Sequence, residues 1–206
     1  MLNSSFEFFP FMKKAISIGI IVAAVAVGIG LASPLFYERQ IDEPLPVALN
    51  KIEEGLTLEK FTNMEDSAQE SLVQKMPEKT KAMIMEEMAK TESQVSEEMS
   101  DDSVSVLKTG EFEGLVGHKA MGTAKTIMVG DATYLRFENF EVTNGPDLRV
   151  YLTPGGDVKQ GIHLEKLKGS KGDQNYLLEG IDTDTYDTVV IYCQPFGVYF
   201  GQAMLS

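Results

Sequence analysis

Residues 134–152 read YLRFENFEVTNGPDLRVYL. A run rich in Tyr, Leu, Phe and Val ends at Asn144-Gly145-Pro146-Asp147, and a second apolar run, Leu148-Arg149-Val150-Tyr151-Leu152, begins at once. Pro fixes φ, Asn and Gly tolerate positive φ, and an Asp carboxylate accepts bonds from nearby amides, so the four middle residues read as a corner between two strands. The same texture continues outward from Gly110, with Val, Ile, Tyr, Phe and Thr in short runs between Gly, Asp, Asn and Pro. It predicts strands at 123–128, 133–142, 148–152, 162–167, 174–178, 188–193 and 198–204. Gly130-Asp131, Pro154-Gly155-Gly156-Asp157 and Pro195-Phe196-Gly197 mark turns between them. Residues 105–206 are therefore expected to be an all-β domain, an antiparallel β-sandwich or barrel.

Upstream, the pattern differs. Residues 15–33 are uncharged and mostly Ile, Val, Ala, Gly and Leu, preceded by Lys13 and Lys14 and followed by an acidic region. As a helix the run spans roughly 28 Å, close to the roughly 30 Å of bilayer hydrocarbon. The basic pair on its N-terminal side directs the rest of the chain out of the cytoplasm. Residues 1–34 are read as a signal-anchor, its apolar run being longer than a typical signal core, or as a signal peptide, since Gly30 and Ala32 offer a cleavage site. Met12-Lys13-Lys14 reads as an alternative start. The expected location is a single-pass cell-membrane protein with its C-terminal domain extracytoplasmic, secreted if the signal is cleaved.

Residues 35–104 read as an acidic, Met-rich helical stalk. Pro34, Pro44 and Pro46 predict an extended linker over 34–50. Leu58, Phe61, Met64, Ala68, Leu72 and Met76 then follow helical steps along one face. Pro77 ends that helix and opens a second one through Ala82, Met85, Met88 and Ala89. Residues 91–102, rich in Ser, Glu and Asp, read as flexible linker. Met76, Met83, Met85 and Met88 invite a Cu(I) reading, against which stands their use as an adaptable apolar packing face.

The formal net charge of −13 excludes a nucleic-acid binder, which needs clustered positive charge. Residues 38–102 carry most of it, with seventeen acidic and seven basic groups. One Cys excludes both a disulfide within the chain and a zinc site with two thiolates. A G-x-S-x-G elbow and a phosphate-cradling glycine loop are absent, so a hydrolase has no support.

Other stretches of the C-terminal region carry a resemblance. Gly110-Glu111-Phe112-Glu113-Gly114 precedes His118 and Gly122, then comes the 134–152 run. Leu167-Lys168-Gly169, Gly172, Gln174 and Tyr176 follow, then Val189-Val190-Ile191-Tyr192-Cys193, Phe196, and Val198, Phe200, Gly201, Ala203 and Leu205. In that order and spacing, residues 110–205 resemble the DM-thirteen domain, a family found beside DOMON domains and proposed to act in electron transfer. The resemblance implies a redox role for Cys193, as a bare thiol or as ligand to a prosthetic group such as haem, and a family position for His118. Nothing in the stalk resembles a DOMON or b-type haem module, so the electron donor stays unidentified.

Strand alternation puts Val189, Ile191 and Cys193 on one face, and Val190 and Tyr192 on the other. If the first face is the core, Cys193 is an inert buried thiol; if it lies at the rim by Pro195, it can ionise, bind metal or be oxidised. A copper site would draw on His118, His163, Cys193 and Met204, but no His follows Cys193 in the usual ligand loop. Haem ligation would fall to Cys193, His118 or a Met. Asp147 invites a catalytic reading, with turn formation as the plainer one. Asp182, Asp184 and Asp187 resemble an incomplete calcium loop.

These observations predict a membrane-tethered extracytoplasmic protein with a redox or electron-transfer role centred on Cys193, serving a redox partner rather than acting as an enzyme on its own substrate. A non-catalytic cell-surface binding or structural module, with Cys193 as core, is the alternative.

Overall fold

The computed structural model describes residues 43–99 and 104–206. The 15–33 run lies outside the described residues. Among the described residues, no helix is long and apolar enough to cross a membrane.

Two antiparallel sheets carry the C-terminal half, as the punctuation by Gly, Pro and Asn predicts. The first has the order β1 (Val104–Glu111), β3 (Ala120–Val129), β4 (Ala132–Val142) and β7 (Gln174–Leu177). The second has the order β2 (Glu113–Gly114), β9 (Val198–Met204), β8 (Thr188–Cys193), β5 (Leu148–Thr153) and β6 (Ile162–Lys166). Their buried side chains form one core, with Leu135, Phe137 and Phe140 from the first sheet against Val150, Leu152, Val189, Ile191, Cys193 and Phe200 from the second. This is a sandwich rather than a barrel, since the strand orders are separate. Strand β1 was not among the expected strands: its outer half, with Val104, Val106 and Leu107, is exposed, and Lys108, Thr109 and Gly110 give it little apolar signal.

Helices occupy residues 45–89. Helix α1 (Leu45–Ile52) replaces the extended linker expected there, because Pro46 sits in the first turn, where its missing N–H costs nothing. The single helix expected from Leu58 to Met76 is two, α2 (Leu58–Thr62) and α3 (Asp66–Lys75). Thr57 caps α2 by accepting from Lys60 N at 3.2 Å, and Asn63 ends it by donating its side-chain amide to Glu59 O. The carbonyl of Phe61 takes the buried Gln69 side-chain amide at 2.6 Å, so the break leaves no orphaned acceptor there. As expected, Pro77 separates α3 from α4 (Glu78–Ala89). Leu49, Leu56, Phe61, Leu72, Val73, Met76 and Ile84 form the helical core, with Met64 and Met88 packed against it. Met64, Met76 and Met88 are thus used for packing, and Met85 reaches the β core.

The helices are not a free stalk. Residues 44–206 form one compact unit. Phe61 stacks on Phe196 at 6.1 Å, and Phe196 touches both cores. Residues 93–97, read from sequence as linker, run as a parallel strap beside 171–173. Lys171 N donates to Ser93 O, Val95 N to Lys171 O and Glu97 N to Asp173 O. The Glu97 carboxylate accepts from Asn175 N at 2.7 Å and from Lys168 Nζ at 2.9 Å. The strap thereby continues the edge beside β7, which would otherwise offer open backbone groups.

Gly172 is the residue that admits the strap. Its φ is +108°, and a Cβ there would collide with Val95 O. Gly172→Ala is expected to cost about 1–3 kcal/mol through the strained backbone alone. Urea denaturation gives that loss, and faster amide exchange at Val95 and Glu97 reports release of the strap.

Candidate functional site

Cys193 ends the central strand β8, between β5 and β9. The face it shares with Val189 and Ile191 is the core face, so the thiol is fully buried. Its Sγ donates to Pro146 O at 3.1 Å. Burial pushes the thiol up to about 12; a bond from the Phe196 backbone pulls the other way, and the nearby Asp147 charge adds to the rise. At neutral pH such a group is held in its protonated form. The resting fold therefore holds an inert thiol.

The 144–147 corner covers that sulfur. Asp147 carries the positive φ, +54°, which the sequence would sooner place at Asn144 or Gly145. Gly145 is needed for space instead, because a Cβ there would lie 2.8 Å from the Phe200 ring. Asp147 O accepts from Gln194 N at 3.1 Å, tying the corner to the residue after Cys193. The Asp147 side chain is 1 % exposed and pairs with Arg149 Nη2 at 2.6 Å. Its second oxygen lies 3.0 Å from Lys166 Nζ, an ion contact without hydrogen-bond alignment. In this arrangement Asp147 serves as counter-ion to Arg149.

Arg149 is the residue that sequence reasoning missed. Its side chain is 9 % exposed, and Nη2 also meets Asp66 Oδ1 of α3 at 2.6 Å. Burial pulls the guanidinium down, but bonds to Asp147 and Asp66 outweigh it and the net shift is upward. The Arg149 hydrogen bond holds the Asp66 carboxyl below the usual range. A cation inside the apolar run Leu148–Thr153 was the available signal, since such a charge needs a partner.

The other candidates do not converge on Cys193. His118 stacks on Phe200 with ring centroids 3.7 Å apart, and burial lowers its pKa. Met204 is exposed and pairs with Thr188, whereas Cys193 pairs with Val198, so five residues of strand, roughly 17 Å, separate them. His163 packs beside Tyr151 at 5.1 Å. The aspartates proposed for calcium have other tasks: Asp182 accepts from Asp184 N and Thr185 Oγ1, Asp184 pairs with Lys108, and Asp187 accepts from Gly155 N and Thr188 Oγ1. Among the described residues, no group of three or more His, Cys, Asp or Glu could hold a metal ion. A haem or copper ion therefore does not fit this arrangement, because the only thiol faces a carbonyl and the core, and the His and Met candidates stand apart from it.

Residues 112–205 match the family model described as Electron transfer DM13. The C-terminal sandwich is a DM13 domain. Neither a curated protein nor a solved structure matches the chain. Within the DM13 domain, the residues that carried the resemblance include the corner 144–147, the strand β8 and residues of β9 beside it.

Removing the Asp147 carboxylate would leave a nearly buried guanidinium with only its half-exposed partner on α3. Asp147→Ala is expected to destabilise the fold by about 3–5 kcal/mol, and Asp66→Ala by no more than about 1 kcal/mol. Urea unfolding of both variants measures the difference. A separate acid effect arises at Glu138. The Lys125 bond, and then Arg136, hold this carboxyl below its ordinary 4.5. Its contribution to stability is complete above 4.5 and is lost as pH falls through the lower folded value. Glu138→Gln should flatten the fall in unfolding free energy below pH 4.5.

Proposed function

We propose that the chain is a membrane-tethered, extracytoplasmic electron-transfer protein whose redox-active group is Cys193. The observation that carries this reading is that the one thiol of the chain lies under the 144–147 corner, within the span that matches the electron-transfer family. The apolar run at 15–33, with its basic N-terminal flank, supports the tether. A single thiol stores electrons only with a second sulfur from outside the chain. Cys193 and a partner protein's thiol join as one disulfide and release two protons, and the two electrons pass to an oxidant such as another disulfide, which becomes two thiols. The partner then belongs to the extracytoplasmic face, and the chain serves as its redox accessory.

A second reading is favoured by the burial of Cys193: the DM13 domain is a non-catalytic binding or structural module, with the thiol as part of its core.

The full-length protein and its Cys193→Ser variant decide between them. Equilibration in thiol–disulfide buffers of graded potential, followed by alkylation and mass measurement, is expected to show a reversible couple in the parent that the variant lacks. A Cys193 that stays reduced at every potential, and is alkylated only after unfolding, would sink the electron-transfer reading and leave the binding module.

A further inference from the structure

Two pieces of chain cover the sulfur of Cys193: the 144–147 corner, through Pro146 O, and the turn after β8, through the backbone of Phe196. Both are held from outside by the helical segment. Asp66 of α3 bonds the same Arg149 nitrogen that bonds Asp147. Phe61 of α2 stacks on Phe196. Thr62 and Asn63, between α2 and α3, face the corner across a pocket of about 270 Å³, lined on the other side by Asn144, Gly145 and Asp147. That pocket gives the corner room to swing outward once the helices let go. Residues 45–89 lie outside the 112–205 match, so this cover is not part of what the family model describes.

We propose that the helical segment is an intrachain lid that keeps Cys193 closed, with Asp66–Arg149–Asp147 as its latch and Phe61–Phe196 as its seat. The electron-transfer reading supplies the reason for such a lid, and this inference rests on it in that respect. Met85 packs on the β core and Asn144 Nδ2 donates to Thr91 Oγ1, but the two contacts over the sulfur's cover are each of a kind that a partner can replace: a carboxylate on a half-exposed helix position, and one aromatic stack. A partner presenting an acidic group to Arg149 and an apolar side chain to Phe196 would displace the helices and free the corner. The strap at 93–97 would keep the displaced segment attached to the sandwich through its bonds to 171–175.

The test is the rate at which iodoacetamide alkylates the full-length native protein, followed by intact mass. The chain has one Cys, so each label reports Cys193 alone. The double variant Asp66→Asn with Phe61→Ala loses latch and seat, and its labelling rate is expected to rise about tenfold or more, since a charge-assisted bond and a buried ring hold the closed state. Amide exchange at Val190 in β8 is measured in parallel. Faster labelling with unchanged Val190 exchange supports the lid. An unchanged labelling rate overturns it, and so does labelling that rises only in step with Val190 exchange, because the thiol is then exposed by unfolding of the sandwich. Alkylation transfers no electrons, so the lid can fail while the Cys193 couple stands, and the couple can fail while the lid stands.

Discussion

The guanidinium of Arg149 lies almost out of water between a carboxylate of its own strand and a carboxylate of helix α3. A buried cation without partners is strongly unfavourable, so both carboxylates are constrained to reach it. Asp147 does so by taking a positive φ, which sets the corner with Pro146 O over the Cys193 sulfur. Asp66 does so from the first turn of α3, which fixes where the helices rest on the sandwich. Closure of the thiol and the placing of α3 thus meet at one charge. Lys166, 61 % exposed, joins from solvent and adds little to this constraint.

The sandwich was legible because its signals are local. Strands β3 to β9 are bounded by Gly, Pro, Asn and Asp, and each run is apolar enough to read by itself. Strand β1 was not, since half of it faces water and its remaining signal is Lys108-Thr109-Gly110. The helical segment was legible in its apolar spacing but not in its breaks. Phe61 and Leu72 belong to one core whether the backbone between them is continuous or turns at Asn63, and the turn is stabilised by Gln69, whose role is visible only in three dimensions. Pro46 misled in the opposite direction, as a helix breaker that sits where a helix tolerates it.

For the candidate site, the period-two pattern of β8 showed that Val189, Ile191 and Cys193 share a face, but not that this face is the core. That depends on β5 and β9, which pair from distant parts of the chain. The partnership of Asp66 with Arg149 was beyond reach for the same reason: no local rule links a helix residue to a strand residue 83 positions later. Asp147 appeared as a turn former and is one. Its greater importance as counter-ion follows from Arg149, for which the one signal was a cation inside an apolar run, with nothing in the run to say which carboxylates meet it.

A thiol pushed up to about 12 and a domain described by electron transfer make opposite demands on Cys193. Thiol–disulfide exchange starts from the thiolate, and at neutral pH the closed fold disfavours that form. Most of the upward shift comes from burial, so a movement that admits water removes its cause. The sandwich does not readily supply that movement at β8, which pairs with β5 along its whole length and with β9 on its other side apart from one bulge between Ile191 and Tyr192. The corner can, since it is fastened by Pro146 O, Asp147 O and the Asp147 carboxylate, and the last of these shares its cation with a helix that lies outside the DM13 match. The demands are reconciled if reactivity belongs to an open state and the helices set how seldom that state is visited.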